Sequence, residues 1–148
     1  MLVKKITYEK CDGTKVTEEF MFNFSKPELI KLEASTDGGI SKMIDKITNE
    51  KNNKKIYDFF EWIILSSYGR PSEDGKSFEK SKKLRKAFKN SDAYTQLILE
   101  FLGENSASVA AAFLEGVFPA DMVAEAKKAV GGSLENVIAS KKEELAAE

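Results

Sequence analysis

The densest run of chemically capable residues lies between positions 68 and 78, YGRPSEDGKSF. Gly75-Lys76-Ser77, preceded by Gly69, invites comparison with a phosphate-binding loop, in which glycines let backbone N–H groups approach phosphate oxygens. The spacing is one residue too long, the segment before Gly69 reads as helix rather than strand, and no later apolar strand ends in a metal-holding Asp. No nucleotide site is therefore expected. Glu73 and Asp74 are a carboxylate pair, but neighbouring positions diverge and no ladder of oxygen ligands surrounds them, so neither acid–base catalysis nor calcium binding is expected. Turn chemistry accounts for the segment better. Asp74-Gly75 makes a tight reversal, Ser72 bonds nearby backbone, and Tyr68 and Phe78 pin the two ends to the core.

Two further groups have binding potential. Lys76, Lys80, Lys82, Lys83, Arg85, Lys86 and Lys89 form a basic stretch relieved only by Glu79. With a near-neutral net charge and no aromatic ladder for base stacking, it reads as a solvated helix face and nucleic acid is not expected as a partner. Phe113, Leu114, Val117, Phe118 and Met122 form an apolar set larger than one helix face needs. Part of it is expected to capture a partner, because Met- and aromatic-bearing surfaces suit long apolar helices.

The composition closes off most catalytic chemistry. Histidine is absent and Cys11 is the single cysteine. Imidazole- or multi-thiolate zinc sites, Ser-His-Asp and Cys-His nucleophiles and histidine pH switches are thereby excluded. No catalytic residue, metal or cofactor is expected. The chain has 148 residues, 42% of them hydrophobic, and 23 basic against 24 acidic residues give a net charge of −1. That length supports one core. Residues 1–103 hold 19 bases and 16 acids, residues 104–148 hold 4 and 8, an asymmetry able to orient partners. Apolar runs such as Trp62 to Leu65 are too short to span a bilayer, and LVKKITYEK lacks a signal-peptide apolar region. A soluble, intracellular protein without a membrane partner is expected.

These residues need a scaffold, and the hydrophobic pattern predicts one. Leu2, Ile6 and Tyr8, then Val16, Phe20, Phe22 and Phe24, alternate with polar residues around the turn Cys11-Asp12-Gly13-Thr14, which predicts a β-hairpin with one apolar face. Two strands are marginal alone, so that face must pack on helices or another subunit, and the strand edges leave homo-oligomerisation open. Ser25-Lys26-Pro27-Glu28 has capping-box spacing ahead of a short helix through Leu29, Ile30 and Leu32, ended by Asp37-Gly38-Gly39. Ile40, Met43, Ile44 and Ile47 predict a second helix, closed by a polar run from Asn49 to Lys55. Ile56, Phe59, Phe60, Ile63, Ile64 and Ser67 predict a third, with Tyr57, Trp62 and Leu65 widening its apolar surface enough to place it near the middle of the fold.

After the loop, Leu84 and Phe88 share one face of a basic helix. Ser91-Asp92 caps another through Tyr94, Leu97, Ile98, Phe101 and Leu102. Ser106 caps the next through Val109, Ala110, Phe113, Leu114 and Val117, ended by Pro119. Met122, Ala126, Ala129 and Val130 predict a last one, stopped by Gly131-Gly132. The fold class is mainly α: a hairpin over residues 1–24, then a bundle of six to seven short helices in one domain to residue 130. Residues 131–148 are expected to be a mobile or partner-dependent tail.

Five ordered blocks carry a resemblance to a known family. They are KKITYEKCDGTKVTEEFMFNFSKPEL, STDGGISKMIDKI, IILSSYGRPSEDGKSFEKSKKLRKAF, AYTQLILEFL and AAAFLEGVFP. Residues 1 to about 119 thus resemble the tail assembly chaperones of long-tailed bacteriophages, with Tyr68, Gly69, Ser72, Asp74, Gly75 and Phe78 forming the family's motif loop. The resemblance implies a non-enzymatic factor that binds the tail tape measure protein, keeps that long helical chain soluble and helps recruit the major tail (tube) protein. It also implies action in the cytoplasm of the infected or lysogenic host, with departure before the virion is complete. The competing reading is a structural or virion-associated tail protein.

Overall fold

The computed structural model describes residues 1–103 and 106–118. Its first elements are β1 (Leu2–Glu9) and β2 (Lys15–Phe22), antiparallel and in register from Leu2 opposite Phe22 to Glu9 opposite Lys15. Alternation sorts the two faces. Leu2, Ile6, Tyr8, Val16, Phe20 and Phe22 turn inward. Lys5 opposite Glu19, Thr7 opposite Thr17 and Glu9 opposite Lys15 turn to solvent, with the two threonine hydroxyls 2.8 Å apart. Complementary cross-strand pairs of this kind let the outer face stay wet.

The inner face is covered by helices, as the hairpin pattern requires. They are α1 (Lys26–Ser35), α2 (Gly39–Thr48), α3 (Asn53–Ser67), α4 (Lys82–Lys89), α5 (Asp92–Leu102) and α6 (Ser106–Val117). Four of the starts carry a side-chain cap that shows why the helix begins where it does. Ser25 and Glu28 form a reciprocal capping box at α1, the Asn52 amide oxygen accepts from Lys54 and Lys55 N–H at α3, and Ser81 and Ser91 Oγ accept from Leu84 and Tyr94 N–H at α4 and α5. Such caps satisfy N–H groups that have no partner inside the helix. Because Asn52 is a cap, α3 starts inside the expected polar connection, which shrinks at its C-terminal end. The side chain of Ser106, expected to cap α6, lies outside the described residues, as do Pro119 and everything after it. The predicted last helix and tail, the domain limit at 130 and Met122 therefore also lie outside them.

Two strands join the hairpin where only a loop was expected. β3 (Tyr68–Pro71) follows α3 directly and pairs antiparallel with the end of β2 through Met21 opposite Gly69 and Phe22 opposite Tyr68. β4 (Phe78–Glu79) pairs with β3 through Arg70 opposite Glu79 and Pro71 opposite Phe78. The architecture is a four-stranded antiparallel sheet in the order β1-β2-β3-β4 under six described helices. The mainly helical expectation is therefore approximate: the chain builds a helical layer against a small sheet.

The core is aromatic and continuous. Successive ring centroids lie 5.8 Å apart for Tyr8–Phe20, 5.3 Å for Phe20–Phe88, 6.0 Å for Phe88–Phe22 and 5.1 Å for Phe22–Phe113. The series continues through Phe113–Phe101 at 5.7 Å, Phe101–Phe60 at 5.3 Å, Phe60–Phe59 at 5.4 Å and Phe59–Trp62 at 6.4 Å. Edge-to-face and tilted rings at these separations add about 0.5–1.5 kcal/mol per pair beyond area burial. Ile40, Ile44, Ile63, Ile64, Leu97 and Leu114 fill the space between them. The wide apolar surface expected of α3 is only partly used: Phe60, Ile63, Ile64 and Ser67 are buried, while Tyr57 and Trp62 remain open to water.

Candidate functional site

The motif loop is a hairpin tip built from its own polar groups. Tyr68 is buried between sheet and α4, stacked on Phe88 with centroids 4.3 Å apart. One residue on, a Cβ placed at Gly69 would come within 2.6 Å of both the Glu79 carbonyl oxygen and the Phe78 ring, so only glycine lets β3 approach β4 this closely. At the tip, Gly75 N–H donates to the Ser72 carbonyl at 2.9 Å and Ser72 N–H donates to the Ser77 carbonyl at 2.8 Å. Gly75 has φ +72°, a left-handed conformation suited to its lack of a side chain.

Asp74 organises that tip. One carboxylate oxygen, Oδ1, accepts from the Ser72 hydroxyl at 2.7 Å and from Lys76 N–H at 3.0 Å, while Ser72 Oγ accepts from Ser77 N–H at 3.1 Å. The Ser72 hydroxyl, then the Lys76 amide, hold the Asp74 carboxyl below its ordinary range. Ser72 and Asp74 are thus occupied with their own backbone, as the turn reading expects, and the Lys76 amide that a phosphate loop would offer to a ligand is already bonded. Glu73 and Asp74 line, with Arg70, Pro71, Ser72, Glu79 and Leu84, a shallow open hollow. No group of three or more metal-ligating side chains occurs among the described residues.

Behind the loop, Lys80 ties the β4–α4 connection to α1 and to the connection between β2 and α1. Its Nζ lies 2.8 Å from Glu28 Oε2 and 3.0 Å from Oε1, and 4.9 Å from the centre of the Phe24 ring. Glu28 Oε1 also accepts from Ser25 N–H at 2.9 Å, completing the α1 capping box. Partial burial pushes the Glu28 carboxyl up, but the Lys80 ammonium and the Ser25 amide outweigh it and leave it below its ordinary value. A second cluster sits between α3, α4 and α5. Tyr94 OH donates to Glu61 Oε2 at 2.9 Å, and Lys89 Nζ lies 3.6 Å from Glu61 Oε1. Burial first, then hydrogen bonds with Glu61 and Tyr57, push the Tyr94 phenol well up, so it stays a donor. Both clusters brace the fold. Neither brings together a nucleophile, a base and an oxyanion donor.

The apolar residues divide differently from the expectation. Phe113, Leu114, Val117 and Phe118 lie in the core, Phe113 against Phe22 and Phe101, and Phe118 stacked on Phe24 at 5.4 Å. Recurrence at i, i+1 and i+4 puts Phe113, Leu114 and Val117 on the side of α6 that meets the sheet, with Phe118 buried just past its end, so in this conformation none of the four offers surface to a partner. The exposed large apolar residues are elsewhere. Leu99 (53% exposed) and Leu102 (64%) sit one turn apart on the outer side of α5, Trp62 (41%) ends the aromatic series on α3, and Ile30 (62%) projects from α1. Leu102 closes the apolar series predicted for α5 and is exposed all the same. The signal that separates it is Leu99, which falls outside the i, i+3, i+4 series and yet is apolar. Among the described residues no helix is long and apolar enough to cross a membrane.

Neither the curated proteins nor the solved structures contain a match to this sequence. The sequence model of one family, described as phage tail assembly chaperone, matches residues 1–148, hairpin, motif loop, all six described helices and the remaining C-terminal residues included. The chain belongs to the phage tail assembly chaperone family.

Proposed function

We propose that the protein binds the tail tape measure protein, holds it soluble, helps bring tail-tube subunits to it, and leaves before the virion is finished. The observation that carries this reading is family membership along the whole chain. Its physical support is the large apolar side chains exposed on the helices, Leu99 and Leu102 on α5, Trp62 and Tyr57 on α3 and Ile30 on α1, with Met1 and Val3 exposed on the hairpin. A long apolar helix aggregates because its exposed stripe has nothing to bury against, and a helical surface bearing leucines one turn apart shields such a stripe without ATP or covalent chemistry. Phe113, Leu114, Val117 and Phe118 take part in client capture only if α6 parts from the sheet. The surface leucines need no rearrangement. On this reading the protein is not an enzyme and works in the cytoplasm of the bacterial host.

Co-expression with the tape measure protein tests the reading. The expected result is a soluble complex recovered in roughly stoichiometric amounts, and an equally insoluble tape measure protein with and without this chain overturns it. A structural tail protein is the other reading, and the place of β1 at the sheet edge favours it, since an edge strand can pair permanently with another subunit. Mass spectrometry of purified virions separates the two, because a departing chaperone is absent from them.

A further inference from the structure

The open face of α4 concentrates positive charge that the fold does not neutralise. The helix carries Lys82, Lys83, Arg85, Lys86 and Lys89 and no acid. With Leu84 and Phe88 turned toward the core, Lys82, Lys86 and Lys89 form one outward row at i, i+4 and i+7, flanked by Lys83 and Arg85. Lys89 approaches Glu61, and Lys80 just before the helix is held by Glu28. Lys82, Lys83, Arg85 and Lys86 have no carboxylate within ion-pair distance among the described residues. Like charges three and four apart weaken a helix slightly, and a carboxylate-bearing partner laid along this solvated face would relieve that repulsion.

The surroundings select the kind of partner. A single-stranded nucleic acid would need aromatic faces for its bases, and a duplex would need freedom to run on along a basic surface. The aromatics at α4, Phe88 and Tyr68, are buried against each other. Glu73, Asp74 and Glu79 line the hollow that Leu84 shares at the start of the helix, where they would repel a continuing phosphate backbone. Outside α4 the chain is net acidic, which gives no long-range attraction to a polyanion. The row from Lys82 to Lys89 is about 10 Å long at 1.5 Å per residue, the length of two turns of a facing helix. We infer that the outer face of α4 docks a helical polypeptide segment of a partner protein bearing carboxylates at i, i+4 and i+7. It is an electrostatic surface additional to the apolar one, and it does not depend on the client's identity.

Fluorescence anisotropy with the full chain tests this, using an alanine-rich helical peptide with Glu at i, i+4 and i+7, an isomer of the same composition with Glu at i, i+2 and i+5, and a single-stranded oligonucleotide. The expected result is that the matched peptide binds several-fold tighter than the isomer and that K82Q/K86Q weakens it about tenfold with thermal unfolding unchanged. The charge reversal K82E/K86E should transfer binding to a peptide with Lys at the same positions, a gain that a misfolded variant does not show. Equal binding of the two isomers, or none of either, overturns the inference. So does tighter binding of the oligonucleotide through the same lysines, which assigns the face to nucleic acid.

Discussion

Tyr68 and Phe88 lie ring on ring, their centroids 4.3 Å apart and their planes 19° from parallel. The first residue of the motif loop therefore rests on a buried residue of the basic helix, and both also meet Phe20 and Phe22 of the hairpin. Two of the sequence blocks, the hairpin and the segment from Ile63 to Phe88, converge at this point. The loop is positioned by the centre of the core rather than by its own turn alone, and α4, only eight residues long, is held chiefly by this one aromatic.

Phe88→Ala should accordingly remove far more than one side chain. A large aromatic deleted from a close-packed site costs about 3–5 kcal/mol, against a total of about 5–15 kcal/mol for a domain. Phe88→Leu keeps most of the volume and should cost about 1–1.5 kcal/mol. Urea unfolding distinguishes them, and the alanine variant should lose near-UV circular dichroism from its tyrosines before the leucine variant does. Equal midpoints would show that the stack is dispensable.

Gly69→Ala tests the close approach of β3 to β4. The added methyl would meet a backbone oxygen, which cannot rotate away as the end of a side chain can. The expected loss is about 1–3 kcal/mol, accompanied by faster hydrogen exchange at the amides of residues 70–79. By contrast Gly75→Ala meets no atom and is penalised only through its φ of +72°, about 1 kcal/mol or slightly more. A Gly69→Ala protein as stable as the parent would contradict the packing described for the hairpin.

Glu28 should give the protein an acid-sensitive increment of stability. Its folded carboxyl titrates below the ordinary 4.5 because Lys80 and the Ser25 amide favour the charged form more than burial disfavours it. A depressed carboxylate contributes stability above its unfolded value, and that contribution fades as the pH falls through the folded one. Glu28→Gln keeps the capping geometry but not the charge, so it should cost about 0.5 kcal/mol at neutral pH, a small figure because water screens a pair this open. Denaturation of both proteins from pH 7 to pH 3 checks the sign: the gap should close below about pH 4.5. A gap of constant size would show that ionisation of Glu28 is not its origin.

Much of the scaffold was readable because its signals are local. Ser25 and Glu28 three residues apart, Ser91 before an apolar run, and alternation from Leu2 to Tyr8 each specify an element without reference to the rest of the chain. The β3–β4 hairpin was hidden although Asp74-Gly75 is a hairpin turn signal. Its strands are four and two residues long, carry Gly69 and Pro71, and owe their pairing to the end of β2, some 45 residues earlier in sequence. The apolar surface was harder still. Periodicity shows which residues share a helix face, but Phe113 and Leu102 are both apolar, both helical, and separated only by what packs on them. Sequence has no term for that, so the set on α6 suited a partner surface on paper and fills the core in three dimensions.

That distinction yields the most direct test of the chaperone reading. Leu99→Ser and Leu102→Ser alter side chains that are 53% and 64% exposed, so together they should cost only about 1 kcal/mol. Leu114→Ala empties a buried site on α6 and should cost about 2–5 kcal/mol. If α5 shields the client, the serine pair should return tape measure protein to the pellet while the chaperone itself stays soluble and folded. Full solubilisation by the serine pair would exclude the α5 face and turn attention to Trp62 and Ile30. If solubilisation is also kept by Leu114→Ala at a temperature where that variant is partly open, capture runs through the residues under α6 instead. Measuring client solubility and chaperone unfolding on the same preparations separates these cases, because only a surface contact loses the first without the second.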